Sequence, residues 1–96
     1  MKKFIFLCVG YETPTKEIMD AWMKWFGSIG DKMVDSGNPF GPGREITKTG
    51  TKELPHDKEA TVGYCIINAE SMDEAEKIAK GAPIITSVRV YEAMSM

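Results

Sequence analysis

"ATVGYCIINAESMDEAEKIAKGAP", residues 60–83, passes from one repeat period to another with no spacer between them. Residues 60–69 are apolar and rich in β-branched and aromatic side chains, which reads as a strand. Ser71 and Glu74 follow at capping-box spacing, and Met72, Ala75, Ile78 and Ala79 recur on one helical face. Gly81 and Pro83 then end the helix, because glycine closes a C-terminus cheaply and proline cannot continue one. A strand feeding directly into a short helix implies a layered α+β arrangement, in which the helix stripe must find a sheet to cover.

Downstream, "SVRVYEAM" (87–94) alternates Val88 and Val90 with Arg89 and Tyr91 and reads as the last strand. Upstream, "KFIFLCV" (3–9) is a continuous apolar run, too short for a helix and bounded by Gly10 and Pro14. It reads as the first strand rather than a signal peptide, since its apolar run is six residues long before Gly10 and no small-residue cleavage site follows. Thr13 stands as N-cap before Pro14 at the first helical position, with Glu17 in the first turn where the macrodipole favours it. Ile18, Trp22, Phe26, Ile29 and Met33 then recur at helical spacing, and Trp25 widens the stripe. The spacing predicts a long helix from about Thr15 to at least Ser28, reaching Asp35 if Gly27 and Gly30 are tolerated. Between helix and central strand, "REITKTGTKEL" (44–54) suggests an exposed hairpin that is polar on both faces.

Two helices with one stripe each pack on the same face of an antiparallel sheet, which gives a ferredoxin-like split βαβ fold of the α+β class. One domain over 1–96 is the expectation at this length, with 43% hydrophobic residues to build its core. In the first strand Phe4, Phe6 and Cys8 point one way and Ile5, Leu7 and Val9 the other, so both faces ask for cover. Two helices cover one face only. The other is expected to meet a second copy, forming a homodimer.

Twelve Lys and Arg against fourteen Asp and Glu give a net charge of -2, which lacks the electrostatic footprint of a nucleic-acid binder. No run approaches the length of a membrane span. Cys8 and Cys65 each sit in an apolar strand, as reduced, buried thiols of a cytoplasmic protein would. The chain has no HxH, CxxC, HExxH or GxSxG spacing, and "GPGREITKTGTK" lacks the order of a phosphate loop. No metal and no cofactor are therefore expected.

With these elements placed, the sequence resembles the YCII-related, or DGPF-domain, family of the dimeric α/β-barrel group. "EIMDAWMKWFGSIGDKMVDSGNPF" is similar to the family's long helix and turn, "GYCIINAESMDEAEKIAKGAP" to its central strand and short helix, and "VRVYEAM" to its last strand. The resemblance implies a ferredoxin-like fold, a face-to-face dimer and a cleft between the sheet and the first helix. Some members carry a histidine in the first helix and an aspartate after the second, proposed as a catalytic pair. The corresponding positions fall near Met19 and Gly81, neither of which moves a proton, and the nearest string to the namesake tetrapeptide is Gly37-Asn38-Pro39-Phe40.

His56, the one histidine, is open between a solvated loop residue and a general base oriented by Asp57. Trp22, Trp25 and Phe26 either line an apolar ligand cleft or pack the core, with core packing favoured for Trp22 and Phe26 and the cleft more open to Trp25. Arg89 is poised either to hold a carboxylate bidentately or to form an interface salt bridge. "SGNPFGPGRE" (36–45) combines glycines with Pro39 and Pro42, a shaped turn that is expected to close over the cleft. In that reading Arg44 clamps an anionic group, Asn38 supplies a hydrogen bond and Phe40 covers the apolar part. Three functions are consistent with these residues: a small-molecule-binding domain using a dimer cleft, a structural or regulatory homodimeric interaction module, and, by family analogy, an enzyme acting on small carbonyl or aromatic compounds.

Overall fold

The computed structural model describes residues 1–94. Strand β1 (Lys2–Val9) leads to helix α1 (Lys16–Ile29), then to a short edge strand β2 (Met33–Asp35) and an exposed ribbon, β3 (Gly43–Thr47) with β4 (Gly50–Leu54). The long strand β5 (Thr61–Ala69), helix α2 (Met72–Ala79) and strand β6 (Ser87–Glu92) complete the order. The main sheet is antiparallel throughout, in the order β2-β5-β1-β6, and β3-β4 form a separate two-stranded sheet. This is the α+β, ferredoxin-like arrangement that the alternation of periods predicts.

Register explains the core. Phe6 stands opposite Cys65 and Val90, and Phe4 opposite Ile67, so these side chains share the helix-facing side of the sheet. Phe4, Phe6 and Ile67 are fully buried, and burying each such side chain contributes about 1.5–3 kcal/mol. Helix α2 presents Ala75 and Ala79, both buried, and alanines one turn apart let its backbone approach the strands closely. Ser71 caps it by accepting from the Glu74 amide at 3.2 Å. Met72, read from the sequence as part of the apolar face, is 45% exposed. Its neighbours are small enough that no longer side chain is needed beneath the helix.

Three boundaries differ from the expectation. The cap of α1 is Thr15, whose hydroxyl accepts from the Ile18 amide at 3.2 Å, rather than Thr13. At the other end Gly30, with φ of 50°, closes the helix and its amide donates to the Phe26 carbonyl. That left-handed cap stops the helix short of Asp35. A 3-10 turn over Gly30–Lys32 follows, and Met33 enters β2, from which it packs on the core. A strand of three residues has too few positions for a period of two to show.

Candidate functional site

Helix α1 runs beyond the area that α2 covers, and the difference leaves space. Trp25 and Ile29 descend into the core beside Ala75 and Ala79. Trp22 and Phe26 sit only half-buried over Cys8 and Val88, and the gap between α1 and the sheet opens there into a cleft of about 580 Å³. Its walls are apolar and aromatic. The Trp22 and Phe26 rings lie 5.9 Å apart, and the Trp22 indole meets Trp25 edge-on at 5.7 Å. Such packing fixes flat surfaces facing the cleft.

The turn after β2 forms one wall. The Asp35 carboxylate accepts from the Gly37 amide at 2.8 Å, Pro39 bridges to Gly63, and the Phe40 amide donates to the Val62 carbonyl at 2.7 Å. Gly37 is required there: its φ is 72°, and a Cβ would stand 1.7 Å from the Tyr64 carbonyl oxygen. Phe40 stacks on Tyr64 with centroids 5.7 Å apart. Residues 36–40 are thus stitched along β5 as a fixed side of the cleft, not a lid that closes over it.

Of the residues singled out in the sequence, Asn38, Phe40 and His56 line the cleft. His56 is held against Tyr11, with ring centroids 4.1 Å apart. Asp57 does not orient it, because the Asp57 carboxylate accepts from the Glu59 amide at 2.9 Å and its carbonyl accepts from the Tyr11 amide at 2.8 Å. Trp25 is a core residue, 5% exposed, with its indole N–H donating to the Ile78 carbonyl at 3.1 Å. Arg44 lies out on the ribbon and pairs with Glu53 across it at 3.8 Å, so it does not clamp a ligand in this cleft. Arg89 stands opposite Leu7 on the other face of the sheet, beside a second groove that it shares with Phe40, Leu54 and His56.

Tyr11, two residues past the end of β1, also lines the cleft, and no local pattern in the sequence marks it. Both cysteines also line the cleft. Cys65 is buried, while Cys8 is only half-buried because it borders that space. Burial raises the Cys8 pKa above the usual thiol value, and pushes that of Cys65 up to about 12, with the charges of Cys8 and Asp35 adding to the rise. Neither thiol is an ionised nucleophile at neutral pH. Met19 lines the cleft, and Gly81 sits beside the Trp25 indole. At these two positions the site holds no acid or base.

The YCII-related domain matches residues 4–96. The chain belongs to that family. This YCII-related protein is also similar in structure to 5-chloro-2-hydroxyhydroquinone dehydrochlorinase from Burkholderia phenoliruptrix AC1100, solved in complex with 2,5-dihydroxybenzoquinone. The TM-score is 0.58 at 21% identity, over 96% of this chain and 93% of that one. At that identity the likeness bears on the fold. No curated protein matches.

Proposed function

We propose that the cleft of this YCII-related protein binds a small, flat, largely apolar molecule, an aromatic or quinonoid ring carrying one or two oxygens. The observation that carries the reading is the cleft of about 580 Å³ walled by Trp22 and Phe26, a volume within the range of ordinary ligand pockets. Rings of this kind offer large contact area at low entropic cost, and Asn38, Tyr11 and His56 at the rim supply the few polar groups that orient a ligand. Phe40 lies where it would cover the exposed edge of the ring. The dehydrochlorinase of similar fold was solved with 2,5-dihydroxybenzoquinone, a flat quinonoid ring that shares the shape of that class. The residues assigned here are binding residues, and no reaction is assigned.

The test is isothermal titration with a panel of hydroxylated benzenes and benzoquinones. Saturable one-site binding is expected for at least one, weakened about tenfold or more by Trp22→Ala, and by a smaller factor in His56→Gln and Asn38→Ala. Binding that survives Trp22→Ala unchanged would place the ligand elsewhere.

The opposite sheet face supports a further part of the proposal, a homodimer. Ile5, Leu7 and Ile66 are half-buried there, and Tyr91 is 51% exposed. Antiparallel sheets with one uncovered apolar face acquire partners. Sedimentation velocity should show a dimer at micromolar concentration, and Leu7→Lys should yield monomers. A wild-type monomer would leave the cleft proposal standing and remove this one.

A further inference from the structure

The β3–β4 ribbon has nothing beneath it. Its strands are five residues each, every one of them exposed, and neither makes substantial contact with the main sheet or a helix. A two-stranded hairpin without a surface to pack on is marginally stable at best in water. This one nevertheless keeps an unbroken register, from Gly43 opposite Leu54 to Thr47 opposite Gly50, and holds Ile46 out at 77% exposure. Five paired positions extend about 14 Å at the ordinary rise per residue, enough to carry the turn onto a neighbouring molecule.

The groove beside Arg89, about 800 Å³, is what such a ribbon fits. Partly exposed Phe40 and Leu54 give it an apolar stretch, and its charged groups are Glu45, Asp57, Glu59 and Arg89. Lys52 stands opposite Glu45 across the ribbon and offsets it. That leaves two carboxylates against one guanidinium, a net negative groove, and Lys48 as the free cation of the ribbon turn. Among the described residues, Lys48, Asp57, Glu59 and Arg89 make no ion pair. The base of the same ribbon, at Gly43, Glu45 and Leu54, forms one wall of the groove. Its own turn lies farther out along an unbroken ladder and cannot fold back into that space, so the occupant comes from another molecule.

We propose that two copies of this chain exchange ribbons, the turn of each seating in the groove of the other. Lys48 of one copy then meets Asp57 and Glu59 of the second, and Ile46 covers Phe40 and Leu54. A two-fold axis makes both contacts at once. This rests on the homodimer reading and adds a second, partly charged contact to the apolar sheet face. The cleft stays open to its ligand, because the groove lies across the wall of Phe40 and His56 that lines both spaces.

The test is a charge swap read by sedimentation velocity on the full chain. Lys48→Glu, Glu59→Lys and Ile46→Asp are each expected to weaken self-association about tenfold or more, since every change counts twice in a symmetric dimer and the first two set like charges together. All three positions are exposed, so circular dichroism should show each variant folded as the wild type is. Mixing Lys48→Glu with Glu59→Lys should restore association, because each of the two contacts in the mixed dimer again joins opposite charges. The exchange is overturned if Ile46→Asp associates like the wild type, or if the mixture associates no better than either variant alone. A wild-type dimer that Leu7→Lys breaks and these variants do not would remove the ribbon exchange and keep the sheet-face contact. The reverse pattern would keep the exchange and remove the sheet-face contact, and a wild-type monomer would remove both.

Discussion

Trp22 and Trp25 lie one turn apart on the same helix, and the structure treats them in opposite ways. Trp25 is buried, hydrogen-bonded to the end of α2 and packed on Phe6. Trp22 is half-buried and faces open space. The difference does not originate in α1. It comes from α2, whose Met72–Ala79 span is eight residues against fourteen for α1. Where the second helix lies alongside, the first completes a core, and where it does not, the same amphipathic stripe becomes the wall of a cleft.

The comparison makes its largest demand at Trp25. Trp25→Ala removes a buried indole and leaves the Ile78 carbonyl without its side-chain donor, so a loss of about 3–5 kcal/mol is expected in urea denaturation. A loss below about 1 kcal/mol would mean that the two tryptophans do not differ as described.

Gly37→Ala should cost about 2 kcal/mol or more, since the backbone there is left-handed and the added carbon meets the Tyr64 carbonyl. The same substitution at Gly41, where nothing lies within 4 Å of an added Cβ, should be nearly neutral. Parallel thermal melts of the two variants check whether the turn is a fixed wall. Equal effects would return it to a pliable hinge.

Trp22→Ala is expected to cost only about 1 kcal/mol, the usual scale for a partly buried site, while removing most of the affinity for an aromatic ligand. Stability and binding would then separate along a single helix, Trp25 governing the first and Trp22 the second. Calorimetry and denaturation on one pair of variants measure both.

The two tryptophans also mark where sequence reasoning stops. Caps, strand alternation and the S-x-x-E box are local, and they made the strands β1, β5 and β6, both helices and the layer order legible. The stripe of α1 was legible as well, but its division into core and cleft depends on the length of a helix some fifty residues away. Periodicity favours core packing for Trp22 and Phe26 and leaves Trp25 undecided between core and cleft because it flanks the Ile18, Trp22, Phe26 line, whereas the helix is rotated so that Trp25 and Ile29 point deepest. Strand β2 was hidden for a different reason. Met33–Asp35 continues the apolar stripe in sequence, and only the left-handed Gly30 turns that stripe from helix into edge strand.

Arg44→Ala should have the smallest effect of all. The sequence casts Arg44 as the cation of a binding turn, since a glycine- and proline-rich segment with an amide, an aromatic and an arginine is the composition of an anion clamp. The structure divides that segment instead: residues 36–40 follow β5 along the cleft, and the chain then leaves with Gly43 into a ribbon whose residues are all exposed. Arg44 meets Glu53 there at 3.8 Å with both side chains largely in solvent, and such pairs contribute about 0–1 kcal/mol. Within one chain, Arg44→Ala should therefore leave the melting temperature and the affinity for an aromatic ligand both unchanged. A silent melt together with a tenfold loss of binding would be informative, because no path within this chain carries Arg44 to the cleft. It would mean that the ribbon of a second copy reaches the cleft of the first, and that the site is completed only in the dimer.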